Sequence, residues 1–486
     1  MAAGNREPGE APATDPGAGR PQDELGELWR DAAGRAIAYR QGITGRRVSP
    51  EPAALTQLLE QLGGPVPEHP DDPARVMGQL DRYGSPATMA TSGGRFFGFV
   101  IGSSLPSTVA AGWLASAWDQ NTGLLAAAPA TTLIEQIALG WLLDVLDLPR
   151  ESGGAFVTGC QMANFTALAA ARHALLARMG WDVEARGLFG APEIPVIVGE
   201  DAHSTIFKAL AMLGLGRDRV LRVPMDDEGR LRSDALPEVG GPAIVCIQHG
   251  NVNSGCFDPA APVIEWARRR DAWVHVDGAF GLWARAAPSR AHLAQGAEGA
   301  DSWATDAHKW LNVPYDCGVA IVRDRSALRG AMGTEAAYLQ ESPMREPMHF
   351  TPELSRRARG VEVWAALKTL GRSGVAELVE RCCRHAARFA GSLRASGFEV
   401  LNEVVLNQVL VSFGDDDTTR RVIDWLQAEG TCFCSGTRWG GRAAMRISVS
   451  SWATTGADVE ASLAAMRQAH AAVAGAAGRC GETAAL

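Results

Sequence analysis

The nine cysteines include no CxxC pair, which excludes the commonest zinc-site spacings. Cys382 and Cys383 are adjacent, and Cys432 and Cys434 stand two apart on what would be one face of a strand. No apolar run reaches the roughly 18 residues that a membrane-spanning helix needs. The opening "MAAGNREPGEAPATDPGAGRPQDE" has no apolar h-region of a secretory signal. These absences lead to the expectation of reduced, mostly buried thiols in the cytoplasm, behind a disordered Pro/Gly/Ala-rich tail over residues 1–24. Positive charge is in deficit as well, with 46 Lys+Arg against 55 Asp+Glu and a net charge of −9. That balance argues against nucleic acid or an anionic membrane as a main partner. No internal repeat is present, and tyrosine is scarce, at four in the chain.

What remains is an ordinary globular composition, 46% hydrophobic and 21% charged. At 486 residues the chain calls for two packed domains or one large domain with appendages. Residues 25–84 read as helical: "ELWRDAAGRAIAYRQG" is amphipathic, and "SPEPAALTQLLEQLG" offers Ser49 as a cap and an early proline. Two apolar helical runs follow at 108–117 and 130–148. From residue 155 the rhythm changes to short β-branched runs: "AFVTG", "PVIVGE", "RVLRVP", "AIVCIQHG", "AWVHVD", "DSWATD" and "CGVAIVRD". Helical stretches at 163–179, 205–215 and 261–270 fall among them. Such alternation predicts an α/β domain over 85–370 with a mainly parallel seven-stranded sheet. A long helical region past Arg356, broken near Gly371, leads into "FEVLNE", "NQVLVSFG", a helix at 418–429 and "AAMRISVSSW". These predict a small α+β domain over 371–470 and a flexible tail at 471–486.

Ligands of open parallel sheets bind beyond the carboxyl ends of the strands, and four features fall there. "AFVTGCQMANFTALAAAR" is a strand, a tight turn at Gly159 and a helix, whose N-terminus is a natural seat for phosphate. His203 follows "PVIVGE" and could stack on a flat ring or simply cap the next helix. Asp277 ends "AWVHVD" as either a turn residue or a rim carboxylate awaiting a cation. Lys309, in "ATDAHKWLNVPYD", is either a snorkelling amine or one held for chemistry; a desolvated lysine has a lowered pKa and can form a Schiff base with a carbonyl. Phosphate seat, ring-stacking imidazole, carboxylate for a pyridinium nitrogen and imine-forming lysine together describe a site for pyridoxal 5′-phosphate.

The chain resembles the group II pyridoxal-phosphate-dependent amino acid decarboxylases, the family of aromatic amino acid and glutamate decarboxylases. The likeness runs from about Leu28 to Ala464, through "RFFGFVIGSSLPS", "TGCQMANFTALAAAR", "DAHSTIFKAL", "GNVNSGCFDP", "VHVDGAFG", "DAHKWLNVPYDCG", "SRRARGVEVWAALKTLGRSG" and "MRISVSSW". The resemblance implies a fold type I, aspartate aminotransferase-like architecture, with residues 25–84 wrapping a partner in a homodimer. Under it, Lys309 matches the Schiff-base lysine, Asp277 the pyridinium partner and His203 the stacking histidine. His308 matches the residue beside the lysine that contacts phosphate or substrate. Tyr338, 338 − 309 = 29 residues past the lysine, matches the loop tyrosine that protonates the carbanion. One departure stands out. Many relatives read Gly-Gly-Ser/Thr at the phosphate turn, whereas this chain reads Gly159-Cys160-Gln161, so a hydroxyl is missing. Gln161 could supply an amide in its place, and Cys160 is either a reactive thiol near a helix N-terminus or an inert buried one.

The implied reaction is decarboxylation of an L-amino acid to the amine and carbon dioxide. The sparsely charged "GFVIGSSLPS" and "AWDQNTGLLAAAPA" lean toward an aromatic or apolar substrate. Decarboxylation-dependent aldehyde formation, transamination or a non-catalytic relative are the other readings. Tyr338 weighs against the first of these, and retention of Lys309, Asp277 and His203 against the last.

Overall fold

The computed structural model describes residues 22–334 and 344–483. They fall into two compact units, one made of residues up to Arg46 together with Pro50–Met89, the other of Arg47–Ser49 and everything from Ala90 onward.

The first unit is helical, with helices Gln22–Gly42, Pro52–Leu62 and Pro73–Gln79. The second of these starts at Pro52, where a missing N–H costs nothing. Its N-cap is Glu51, without a side-chain bond, so Ser49 is not the cap that the sequence suggests. Asp72 caps the third by accepting from the Ala74 and Arg75 N–H groups.

The second unit is built on a seven-stranded sheet: β1 (Gly153–Val157), β2 (Val196–Gly199), β3 (Leu221–Val223), β4 (Ile244–Gln248), β5 (Trp273–Asp277), β6 (Ser302–Asp306) and β7 (Gly318–Val322). All seven expected strands are there. Their order is β1-β7-β6-β5-β4-β2-β3. Pairing is parallel from β3 through β6, and only β7 runs antiparallel to both neighbours. The segment between β6 and β7 contains no crossover helix, so the chain can return only in the opposite sense. Both faces of the sheet are covered, and successive residues feed different cores. Val245, Ile247, Val274, Val276 and Trp303 enter one core; Ile244, Cys246, Trp273 and Ala304 enter the other. The first core includes Leu139 and Leu142 of helix Pro129–Val145 and Val375 and Leu378 of helix Gly360–Ala395. The second packs on helix Cys160–Arg178.

Helix Gly360–Ala395 is interrupted at Gly371, whose φ of 60° is left-handed, as the sequence predicts and as glycine best tolerates. A second sheet follows, of β8 (Glu399–Val400), β9 (Gln408–Ser412), β10 (Ser435–Trp439) and β11 (Arg442–Ser448), in the order β10-β11-β9-β8. The last helix runs Gly456–Thr483, through residues that the sequence reading assigns to a flexible tail.

Candidate active site

Register brings the interesting side chains to one edge of the large sheet. Gln248 of β4 pairs with Asp277 of β5, Asp277 with Ala304 of β6, and Asp306 with Gly318 of β7. A cavity of ≈ 260 Å³ opens at this edge, lined by Lys309, Asp277, His203, His308, Cys160 and Gln161 together with Asp306 and Phe99. Six of the seven side chains singled out in the sequence therefore meet. The seventh, Tyr338, lies outside the described residues.

Lys309 projects from the turn after β6. Its Nζ lies 3.1 Å from Asp306 Oδ2, and 20% of its side chain is exposed. Burial works to lower its pKa, but the charges of Asp306 and Asp277 outweigh burial and hold the amine above its ordinary value. The lowered pKa expected for a desolvated lysine is thus reversed by a neighbour that the sequence reading did not weigh. The turn itself is pinned by Asn312, at φ 58°. Its Nδ2 donates to the Trp310 carbonyl at 2.6 Å and to the Ser450 carbonyl at 3.0 Å. Its Oδ1 accepts from the Ser103 N–H at 3.1 Å and the Trp452 N–H at 2.9 Å. At Gly102 a Cβ would sit 1.7 Å from the Lys309 carbonyl oxygen, so only glycine fits where that strand of chain passes.

Asp277 is 3% exposed. It accepts from Asn164 Nδ2 at 3.2 Å, from the Ala279 N–H at 3.3 Å and from the Cys160 thiol at 3.4 Å. All three donors are neutral, and among the described residues no cationic side chain lies within 4.0 Å of this carboxylate. A buried carboxylate without a countercharge is costly, and a protonated ring nitrogen in the cavity would supply one. The site therefore fits a pyridinium ring. Behind Asp277, Asn164 Oδ1 meets His275 Nε2 at 2.9 Å and His275 Nδ1 meets Ser302 Oγ at 2.9 Å. Burial pushes His275 down to about 4, so a neutral ring links these groups.

His203 both lines the cavity and caps helix Ser204–Met212; the two readings of the sequence are compatible. Its Nδ1 sits 2.9 Å from Thr205 Oγ1, and its N–H donates to Gln248 Oε1 at 3.1 Å. Burial lowers its pKa against the pull of Asp277, which leaves a neutral imidazole. His308 is stacked on Tyr315 at 4.2 Å. Its Nδ1 accepts the Cys317 N–H at 3.0 Å, so the ring proton is on Nε2, 3.3 Å from Asp306 Oδ1. Burial lowers the pKa of His308 too.

The Gly159 turn is close-fitting: a Cβ there would meet His308 Cε1 at 3.2 Å. Helix Cys160–Arg178 starts immediately after it, and the Cys160 N–H donates to Asp306 Oδ1 at 2.6 Å. The Cys160 thiol is buried, and burial with the nearby carboxylates drives its pKa well up. That direction favours the unreactive of the two readings of this thiol. The other described cysteines are also unpaired and buried.

Sequence reasoning missed Asp306, Asn164 and Asn312. Asp306 ends a strand just as Asp277 does and stands i, i+3 from the lysine, which was the available signal. The chain also contains only three lysines, Lys208, Lys309 and Lys368. That scarcity makes a lysine on a cavity wall far more telling than lysines in general are.

A family model described as the pyridoxal-dependent decarboxylase conserved domain matches residues 53–414. Tryptophan decarboxylase 1 of Oryza sativa subsp. japonica is 29% identical over 397 residues, 73% of this chain and 76% of that protein. Aromatic-L-amino-acid decarboxylase of Bacillus atrophaeus is 27% identical, over 80% of this chain and 81% of its own length. Among solved structures, Oryza sativa TDC with PLP and tryptamine superposes with a TM-score of 0.87 at 25% identity, covering 94% of this chain and 99% of that one.

Proposed function

The chain belongs to the pyridoxal-dependent decarboxylase family, and from that premise we propose that its substrate is an aromatic or apolar L-amino acid. The enzyme is a pyridoxal 5′-phosphate-dependent amino acid decarboxylase of fold type I. When bound, that cofactor supplies an aldehyde for an amine and a ring that takes up the electron pair released as the Cα–carboxylate bond breaks.

The protein's own groups divide the remaining work. Lys309 is the amine assigned to hold the cofactor and, once product forms, to release it. Asp277, buried among neutral donors, keeps a proton on the ring nitrogen. His203 would pack its neutral imidazole against the ring, with Nδ1 held by Thr205 and its backbone N–H by Gln248. His308, Gln161 and the Gly159-Cys160-Gln161 turn line the part of the cavity assigned to the phosphate. The cavity walls would hold the substrate side chain and so set the orientation of the bond to be broken. Tyr338 is assigned the proton delivered to Cα, since a phenol of pKa about 10 is protonated at neutral pH.

The observation that carries the substrate class is the wall of the cavity. Phe99, Val252 and Phe280 supply apolar surface, and among the described residues Lys309 is the only Lys or Arg in the lining. Among the described residues the lining offers a second carboxylate, as on glutamate, no Lys or Arg besides Lys309. The names of the rice and Bacillus relatives, tryptophan decarboxylase and aromatic-L-amino-acid decarboxylase, support the same choice.

A homodimer is part of the proposal. Trp113, Leu114 and Trp118 of helix Pro106–Trp118 and Leu133 and Ile137 of the next helix are exposed, an apolar area typical of a subunit interface. Cytoplasmic residence is proposed as well, supported by the buried, unpaired thiols. The test is to incubate purified protein with each L-amino acid in turn and measure carbon dioxide and amine. Turnover should be highest with aromatic substrates; a preference for glutamate would refute the assignment.

A further inference from the structure

Phe99 lines the cavity and is 58% exposed, although Phe97 before it and Val100 after it are buried. The backbone that presents it is strained: Phe99 and Val100 stand at φ 56° and 55°, in the left-handed region that L side chains rarely adopt. The Ile101 N–H closes this turn on the Gly98 carbonyl at 3.2 Å, and at Gly102 the chain packs against the Lys309 carbonyl. The backbone of Phe99 is thereby fixed relative to the lysine. Its ring has a separate support, the ring of Phe433, at 5.8 Å and 33°.

Phe433 stands just before β10 and is not in the lining of the cavity. Cys432 and Cys434 on either side of it enter the core, and the half-buried Phe433 alternates to the opposite side. There its ring stacks on Phe96 at 5.0 Å, 1° from parallel. The backbones are joined at the same place. The Phe97 N–H donates to the Phe433 carbonyl at 2.8 Å, and the Phe433 N–H donates to the Arg95 carbonyl at 3.1 Å. Between Phe96 and Phe99 lies Gly98, where a Cβ would come within 2.6 Å of Phe433 Cε1. The ring therefore fills space that a side chain at 98 would claim. One ring from outside the site braces the aromatic wall inside it.

We propose that Phe433 is a positioning residue for substrate selection: it holds the Phe99 ring as the surface on which an aromatic side chain packs, and so sets the preference for aromatic over aliphatic substrates. The proposal rests on the aromatic reading of the substrate. Ring pairs favour particular offset or edge-on geometries, so a substrate ring gains most from a wall ring held at a fixed angle. With leucine at 433 the Phe99 side chain is free to change rotamer, and that gain is lost. An aliphatic side chain packs on apolar surface without regard to its angle.

Cofactor-loaded enzyme is titrated by calorimetry with 2-phenylethylamine and with 3-methylbutylamine, one aromatic and one aliphatic. Phe433→Leu should weaken the aromatic amine by roughly 5-fold, within the range of one aromatic pair, and leave the aliphatic one within about twofold. Phe433→Tyr, which keeps the ring, should match the wild type. In a Phe99→Leu background Phe433→Leu should add no further loss, because it acts through Phe99. Losses that multiply in the double variant, an unchanged aromatic preference in Phe433→Leu, or equal weakening of both amines would overturn the proposal. Should Phe433→Leu not fold, Phe433→Met carries the same expectations and the same refutations. A wild type that binds the two amines equally would overturn the aromatic reading itself, and this proposal with it.

Discussion

Replacing Asp277 by asparagine changes the charge of one buried group and almost nothing of its shape. The carboxylate rests on Asn164, the Ala279 N–H and the Cys160 thiol, and an asparagine oxygen can keep one or two of these bonds. What it cannot do is balance a protonated ring nitrogen. At a hydrogen-bond separation of roughly 3 Å and an effective dielectric of about 20, a unit charge pair is worth at most about 5 kcal/mol. A neutral hydrogen bond would retain about 1 kcal/mol of that. The difference sets a ceiling of ~1,000-fold on rate, and allowing for relaxation at least ~100-fold, about 2.7 kcal/mol, should be lost. The assay is kcat at saturating cofactor and substrate, with cofactor occupancy read by absorbance and fold by circular dichroism. Removing an uncompensated buried charge should leave the cofactor-free fold intact. An Asp277→Asn enzyme fully loaded with cofactor and within threefold of wild-type kcat would refute the reasoning and return Asp277 to the status of a turn residue.

Tyr338→Phe should leave cofactor and substrate binding in place while amine formation falls by ~100-fold or more, as for loss of a general acid; aldehyde, peroxide and ammonia should appear in air, and an unchanged amine rate would refute the role. Stability should depend on two histidines that burial keeps neutral, His249 at about 3 and His275 at about 4. Between the unfolded value of about 6.5 and these values the unfolded chain binds protons that the folded one does not, so stability is lost as pH falls through this window. At pH 4.5 the two histidines together should cost about 5 kcal/mol relative to pH 7. Asp258, which burial raises to about 7, takes up a proton in the fold over the same range and offsets about 3 kcal/mol of this. The net should be a lower urea midpoint, and an unmoved midpoint would contradict it. Sedimentation at micromolar concentration should give a dimer, and a cofactor-loaded, active monomer would exclude the proposed interface.

The α/β frame was readable because buried parallel strands are continuous apolar runs, and the runs ended where the cavity opens. Gly371 was readable because a helical pattern with an isolated glycine permits a left-handed break. β10 was not: "SGTRW" is short, polar on one face and holds a glycine, so its period is faint. The signal that could have found it is the Gly440-Gly441 turn that follows, with φ 53° and 78°, which is the signature of a tight hairpin. At the site, Lys309, Asp277 and His203 were singled out by residue type and by position after a strand, and His308 by resemblance to the family. Asp306 escaped because its importance lies in what it touches. The partners are the Cys160 N–H at a sequence distance of 146 residues, together with Lys309 and His308. The raised pKa of Lys309 escaped for the same reason. Asp306 is only three residues from the lysine, but that its carboxylate turns toward the amine, held by the Cys160 N–H, is settled by the fold. Asn312 is similar: its side chain ties together 103, 310, 450 and 452, contacts that only the fold brings together.

The central claim is that Lys309 carries the cofactor, and the scarcity of lysine makes it directly testable. Purified protein is mixed with pyridoxal 5′-phosphate, reduced with borohydride, digested, and the modified peptide identified by mass. The cofactor should be found on Lys309 alone of the three lysines, and Lys309→Ala should show neither the label nor the visible absorbance while retaining its fold. A label on Lys208 or Lys368 in the wild type, or a reducible linkage that persists in Lys309→Ala, would contradict the account.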